Sequence, residues 1–245
     1  MRYLVKIAVI SDIHSNFEAL SAVINDIKEN HTDINDIFCL GDIVGYGPDP
    51  DDCVNYLFRN SEFRISMVKG NHDHYVAQAS IPPQVNSTAK EAIEYQITHT
   101  SLENRWELSN LPLVKSITRS EFGIDIFLVH GSPQHPLSKY IYPNSKELPQ
   151  LFAYLENTGT DILILGHTHI PAVERIETDE KQLLILNPGS VGQPRDRNPK
   201  SSYAILDSNL EVEIVRVDYD IESVMNKICR NGLPISLAHR LRKGL

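Results

Sequence analysis

Residues 4–16 read Leu-Val-Lys-Ile-Ala-Val-Ile-Ser-Asp-Ile-His-Ser-Asn, a short apolar run that stops on serine, aspartate and histidine. The apolar start, Tyr3 to Ile10, contains Lys6 and falls well short of the roughly 18 apolar residues that cross a bilayer. It also lacks the small-residue cleavage site of a signal peptide, so Leu4 to Ile10 reads as a first strand. Next, Ala19, Leu20, Val23, Ile24 and Ile27 recur at helical spacing between Phe17 and Ile27, with Asn16 as N-cap. Ile37 to Leu40 is a second strand-like run, and Phe63 to Val68 a third. Between them, Pro50 to Phe58 is a helix with Asp49 as cap and Pro50 at its first position. Apolar strands joined by helices predict a parallel sheet covered on both faces.

Further along, Asn86 to about Ser109 reads as helical through Ala89, Ala92, Ile93, Gln96 and Ile97. The pattern then turns strand-rich, with runs at 114–119, 124–129, 162–165, 172–176, 183–186, 203–206 and 212–217 and one helix from Ser145 to Glu156. A second sheet packed on the first accommodates them. The chain closes with a helix near Ile221 to Cys229 and an amphipathic piece from Pro234 to Leu241. Its apolar residues Leu233, Ile235, Leu237 and Leu241 either cover the core or contact a second copy. No repeat, low-complexity tract or linker interrupts the chain, so residues 1–245 read as one domain.

The composition, 41% hydrophobic and 22% charged over 245 residues, excludes a disordered, collagen-like or disulfide-built protein. Lys plus Arg is 23 against 32 Asp plus Glu, a net charge of −9, and no basic run is long enough to track a phosphate backbone. Long duplex nucleic acid is therefore not an expected partner, and neither is a membrane. A small anionic substrate remains compatible if bound cations reverse the field in one cleft. Cys39, Cys53 and Cys229 are odd in number and unrelated in spacing, as expected in a reducing cytoplasm.

The chemistry lies where the strands end. Asp12 follows the first strand, Asp42 the second and Asn71 the third, 30 and then 29 residues apart, about one strand-helix-strand unit. His130 follows the run 126–129, and His167 and His169 follow 162–165. These ends form the sheet edge where open α/β sheets bind ligands. Asp12 with His14, and His167 with His169, are spaced by two, so extended chain projects each pair to one side, toward a shared centre. Two acids, one amide and four imidazoles are too many for one tetrahedral ion and suit two ions sharing a carboxylate. Such imidazole-rich mixed nitrogen and oxygen ligation favours Mn, Fe, Co, Ni or Zn over Mg alone.

In order, Asp12-Ile-His14, Gly41-Asp42, Gly70-Asn71-His72-Asp73, His130-Gly131 and Gly166-His167-Thr168-His169 resemble the five-block signature of the calcineurin-like metallophosphoesterase superfamily. Asn187-Pro188-Gly189-Ser190-Val191-Gly192 and the tail 232–241 are similar to its small bacterial and archaeal phosphodiesterase branch. The resemblance implies a four-layer α/β/β/α sandwich of two mixed sheets flanked by helices. It implies that Asp12, His14, Asp42 and His169 hold one metal, and that Asp42, Asn71, His130 and His167 hold a second, Mn being favoured. His72 would be no ligand but a general acid at the leaving oxygen, and Asp73 would orient or charge it. A pair of divalent ions about 3.5–4 Å apart can hold a hydroxide at neutral pH and clamp a phosphoryl group for in-line displacement. The implied activity is hydrolysis of a small phosphate ester, a diester before a monoester or a dinucleoside polyphosphate. A non-catalytic interaction scaffold with this fold is the competing class, and an intact His72 argues against it.

Taken singly, these residues have ordinary explanations: Asp12 as a helix cap, Asn71 and Gly41-Asp42 as turns, the histidines as satisfied polar groups near a core. For Asn16 the cap is the main reading and substrate contact the second. Arg195 could grip a substrate phosphate through its guanidinium, whereas Arg197 reads as solvated surface. Tyr46, in Gly45-Tyr46-Gly47-Pro48, could stack on a base or pack its loop. His31, His74, His99, His135 and His239 read as surface or packing residues, and Arg240, Arg242 and Lys243 as a solvated helix face.

Overall fold

In the computed structural model, which describes residues 5–245, alternation along the first strand sets the layers. In β1 (Lys6–Ile10), Ala8 and Ile10 pack toward α1 (Phe17–Asn30), while Ile7 and Val9 enter a second core between two sheets. The strand is thus apolar on both sides because both sides are buried. Leu4, the expected start of this strand, lies outside the described residues. The chain continues through β2 (Asp36–Cys39), α2 (Pro50–Arg59), β3 (Arg64–Met67), α3 (Asn71–Ala77), α4 (Ser87–His99) and α5 (Leu102–Asn110). Then come β4 (Val114–Ile117), α6 (Arg119–Phe122), β5 (Ile126–Val129), α7 (Leu148–Thr158), β6 (Ile162–Ile164), β7 (Ala172–Glu177) and β8 (Gln182–Asn187). The last elements are β9 (Ser201–Asp207), β10 (Val212–Val217), α8 (Ile221–Arg230) and α9 (Ile235–Lys243).

Two five-stranded sheets result, ordered β10-β9-β1-β2-β3 and β4-β5-β6-β8-β7. Each has three parallel strands, β1-β2-β3 and β5-β6-β8, completed by antiparallel neighbours. The first sheet is therefore mixed rather than wholly parallel, and helices cover one of its faces while the second sheet covers the other. Phe38 and Leu40 meet Ile126, Leu128, Ile162 and Ile164 in the core between the sheets. Leu151, Phe152 and Leu155 of α7 close the outer face of the second sheet. The architecture is the expected α/β/β/α sandwich.

Several boundaries differ from the sequence expectation, each for a local reason. The single helix expected over 86–109 is two, because Thr100 is extended and the Ser101 hydroxyl caps Asn104 N–H of a new helix. The strand expected to Arg119 stops at Ile117, where Thr118 and Glu121 cap α6. The helix expected from Ser145 begins at Leu148. Asp49 occupies the N-cap of α2 but makes no capping bond, since its carboxylate accepts from Lys227 Nζ at 2.9 Å. In the C-terminal piece, Leu233, Leu237 and Leu241 are buried with Val224, Ile228 and Ala92, with Tyr46 packed against them. They cover the molecule's own core, whereas Ile235 stays exposed.

Candidate metal centre

The carboxyl ends of strands from both sheets meet at one place. Asp12 and His14 lie beyond β1, Asp42 beyond β2 and Asn71 at the start of α3, while His130 lies beyond β5 and His167 and His169 beyond β6. All seven are buried. Their donor atoms, joined by that of His72, gather as Asp12, His14 and His169; as His14, Asp42 and His72; and as Asp42, His130 and His167. Asn71 Oδ1 adjoins the last group, 3.2 Å from His130 Nε2. The neighbours His167 and His169 thus part company, each joining a different donor set. The spacing of two does not act through extended chain, because φ is positive at Asp12 (54°), His14 (49°), Asp42 (51°), His167 (69°) and His169 (61°). Left-handed backbone costs an L-residue roughly 1–2 kcal/mol, so the turns that aim these side chains hold strain that the surrounding packing must offset.

Hydrogen bonds leave the donor atoms facing inward. His14, His130 and His169 each donate from Nδ1 to a carbonyl, at 3.2 Å to Val44, 2.7 Å to Leu40 and 2.6 Å to Gln193. A carbonyl only accepts, so Nδ1 carries the hydrogen and a neutral ring presents its Nε2 lone pair to the centre. His14 Nε2 and His169 Nε2 then face each other at 3.1 Å, as do His130 Nε2 and His167 Nδ1. Asp12 Oδ2 accepts from Ser11 Oγ and His167 N–H, while buried Oδ1 lies 3.2 Å from His169 Nε2 with no aligned hydrogen bond. Asp42 Oδ1 accepts from His72 N–H at 2.8 Å, and Oδ2 lies 3.3 Å from His130 Nε2 and 3.7 Å from His14 Nε2. Converging lone pairs with an orphaned carboxylate oxygen fit cations between them, and hard and borderline divalent ions match this donor set.

The electrostatics agree. Burial alone would raise both acids, yet His169 beside Asp12, and His130 with His72 beside Asp42, hold each below the usual carboxylate range. Burial lowers His14 and His169, and lowers His167 to about 3 and His72 to about 4, so these rings are neutral at pH 7. His130 goes the other way: burial opposes its charge, but the Asp42 carboxylate outweighs that and raises it to about 9. A proton on His130 thus neutralises Asp42 where no metal does.

His72 sits within this group, its ring 5.0 Å from His14 and 4.5 Å from Tyr46, with Nδ1 buried and unpartnered. Asp73 makes no hydrogen bond to its ring. Its two carboxylate oxygens accept from Val44 N–H and Gly70 N–H, fixing the loop after Asp42 and the start of α3, and burial beside Asp42 raises it to about 7. The Arg195 guanidinium lies 5.7 Å over the Tyr46 ring and donates to Gln193 Oε1, so both substrate-binding candidates reach the rim. Asn16 is the expected cap, accepting from Ala19 N–H, and its amide also donates to Gly192 O. Arg197 has a structural task, its N–H donating to Gly244 O. Sequence reasoning missed Gln96, which reads as one more position on a helix face. Buried Gln96 accepts from Ser15 Oγ and Gly45 N–H and donates to Gly47 O, tying α4 to the loops of His14 and Tyr46.

Comparison with known proteins matches residues 5–210 to the calcineurin-like phosphoesterase superfamily domain. The chain is 40% identical to an uncharacterized protein of Methanocaldococcus jannaschii over 97% of this chain and 98% of that one. It is 23% identical to the phosphodiesterase YfcE of Escherichia coli, over 89% and 96% of the two chains. Among solved structures, a metallophosphoesterase from Sphaerobacter thermophilus superposes with a TM-score of 0.81 at 34% identity, covering 98% of this chain and 99% of that one. The matched span runs through every strand of both sheets except β10 and contains all the clustered donors, and on that ground the chain belongs to the calcineurin-like phosphoesterase superfamily.

Proposed function

We propose that this protein is a cytoplasmic, dinuclear metal-dependent phosphodiesterase acting on a small phosphate ester. Asp42 carries the assignment: its Oδ2 faces His130 at 3.3 Å and His14 at 3.7 Å, so a single carboxylate reaches both donor sets. Asp12, His14, Asp42 and His169 would hold one ion, and Asp42, Asn71, His130 and His167 the other, with Mn favoured over Fe, Co, Ni or Zn. When bound, the ions supply Lewis acidity that neutralises phosphoryl charge. The remaining work falls to the chain. Arg195, beside Tyr46, binds a phosphate oxygen from the rim. His72, held by its backbone N–H on Asp42, hands a proton from its ring to the leaving oxygen. Burial, with Arg195 beside it, lowers it to about 4 against the pull of Asp42, and a bound anionic substrate would add to that pull. A diester is favoured because the relative from Escherichia coli is named a phosphodiesterase.

The test compares bis-p-nitrophenyl phosphate with p-nitrophenyl phosphate on protein stripped by chelator and resupplied with Mn, Ni, Co, Zn or Mg in turn. Metal-dependent turnover of the diester, lost in Asp42→Asn, is expected. Two ions bound per chain with no ester turned over would instead favour the interaction scaffold. Faster turnover of the monoester would reassign the substrate class.

A further inference from the structure

The loop after β5 presents aromatic rings to the same centre. Ile141 is buried in the α7 core, while its neighbours Tyr140 and Tyr142 are 42% and 50% exposed, so the two phenols share the outer side of the loop. Their rings lie 11° from parallel with centroids 6.0 Å apart, an offset stack that leaves ring face open. Tyr140 stacks in turn on His167, at 3.7 Å and 19°. Three near-parallel rings thus step outward from a candidate metal ligand toward solvent. The loop is held firmly: Gly131 N–H donates to Pro136 O at 2.7 Å, and Asn144 N–H to Glu174 Oε1 at 3.0 Å. Tyr140 has packing reason enough in covering His167. Tyr142 has no such task, since its ring adds a step to the stack and is otherwise half in water. The Tyr46 ring, 4.5 Å from His72 and under the Arg195 guanidinium, supplies cationic and aromatic character at the same rim.

We propose that Tyr140 and Tyr142 form a stacking platform for a planar base, so that the phosphate ester handled here is a nucleotide, with its phosphate at the metal centre and its base on the tyrosines. The proposal rests on the phosphoesterase reading of the centre and makes Tyr142 a specificity-determining residue. A base stacked on an aromatic side chain strengthens binding by about tenfold.

Calorimetric titration of the Mn-loaded full-length protein with AMP and with ribose 5-phosphate separates the base from the sugar phosphate. AMP should bind at least about tenfold more tightly. That preference should fall to near unity in Tyr142→Ala and return in Tyr142→Phe, which keeps the ring. Equal affinities in the wild type, or a preference that survives Tyr142→Ala, would overturn the proposal. Hydrolysis of bis-p-nitrophenyl phosphate and p-nitrophenyl phosphate by the same preparations keeps the two readings apart. Turnover without AMP preference removes the platform and leaves the phosphoesterase, whereas AMP preference with neither bis-p-nitrophenyl phosphate nor p-nitrophenyl phosphate turned over leaves the platform and removes the catalytic reading.

Discussion

Replacing Gly45 with alanine probes how little room the centre has. Gly45 has φ of +119°, which an L-residue adopts only under strain, and an added Cβ would lie 2.7 Å from His14 Nδ1 and 2.8 Å from His72 Nδ1. Ordinary contact begins near 3.4 Å, so both rings must retreat, His14 by about 0.7 Å and His72 by about 0.6 Å, unless the backbone itself shifts. Metal–ligand distances tolerate only about 0.2 Å. Backbone strain should cost roughly 1–3 kcal/mol of stability. Displacing His14 and its bond to Val44 O should weaken metal binding by about 10–100-fold. Turnover should fall by about 100-fold, the usual effect of an ångström-scale misplacement. Gly159→Ala is the control, since its φ is +72° with nothing within 4 Å of the new carbon. It should lose roughly 1–2 kcal/mol through backbone strain alone and keep metal binding and turnover. Mn titration of stripped protein, diester hydrolysis and urea unfolding measure the three quantities. If Gly45→Ala matches Gly159→Ala in metal affinity and turnover, the two imidazoles are not held where the metal chemistry requires them.

The raised His130 gives a pH dependence of defined sign. Its proton must leave before the ring can ligate a metal, so apparent Mn affinity should rise about tenfold per pH unit from pH 7 and level off near pH 9. Mn titrations across that range check this, and a flat profile would contradict it. In metal-free protein the same proton favours the fold fully below about pH 6.5, and that contribution is lost as the pH climbs through about 9. Gln96→Leu would leave Ser15 Oγ, Gly45 N–H and Gly47 O without their buried partner, an expected loss of about 3 kcal/mol in urea unfolding. A loss below about 1 kcal/mol would mean that water or a rearranged loop replaces the glutamine.

Much of this molecule is legible along the chain because its signals are local. A strand buried on both faces is a continuous apolar run, as in Ile7 to Ile10, and ligand-type side chains mark where β1, β2, β5 and β6 end. The order and spacing of Asp12, Asp42, Asn71, His130, His167 and His169 therefore identify the candidate centre before any coordinates do. Other features depend on residues far apart. Whether helices or a second sheet cover β1 is decided by packing between Ile7, Val9 and strands more than 100 residues away, to which periodicity is blind. Asp73 and Asp49 look like an orienting acid and a helix cap, but their partners are Val44 N–H and Lys227, 29 and 178 residues distant. His167 and His169 enter different donor sets because their backbone is left-handed, a conformation that residue type alone does not announce. Gln96 and Tyr142 carry no motif at all. Their roles arise where α4 meets the Gly45 loop and where the loop after β5 stacks on His167, since hydrogen bonds and ring contacts are made by neighbours in space rather than in sequence.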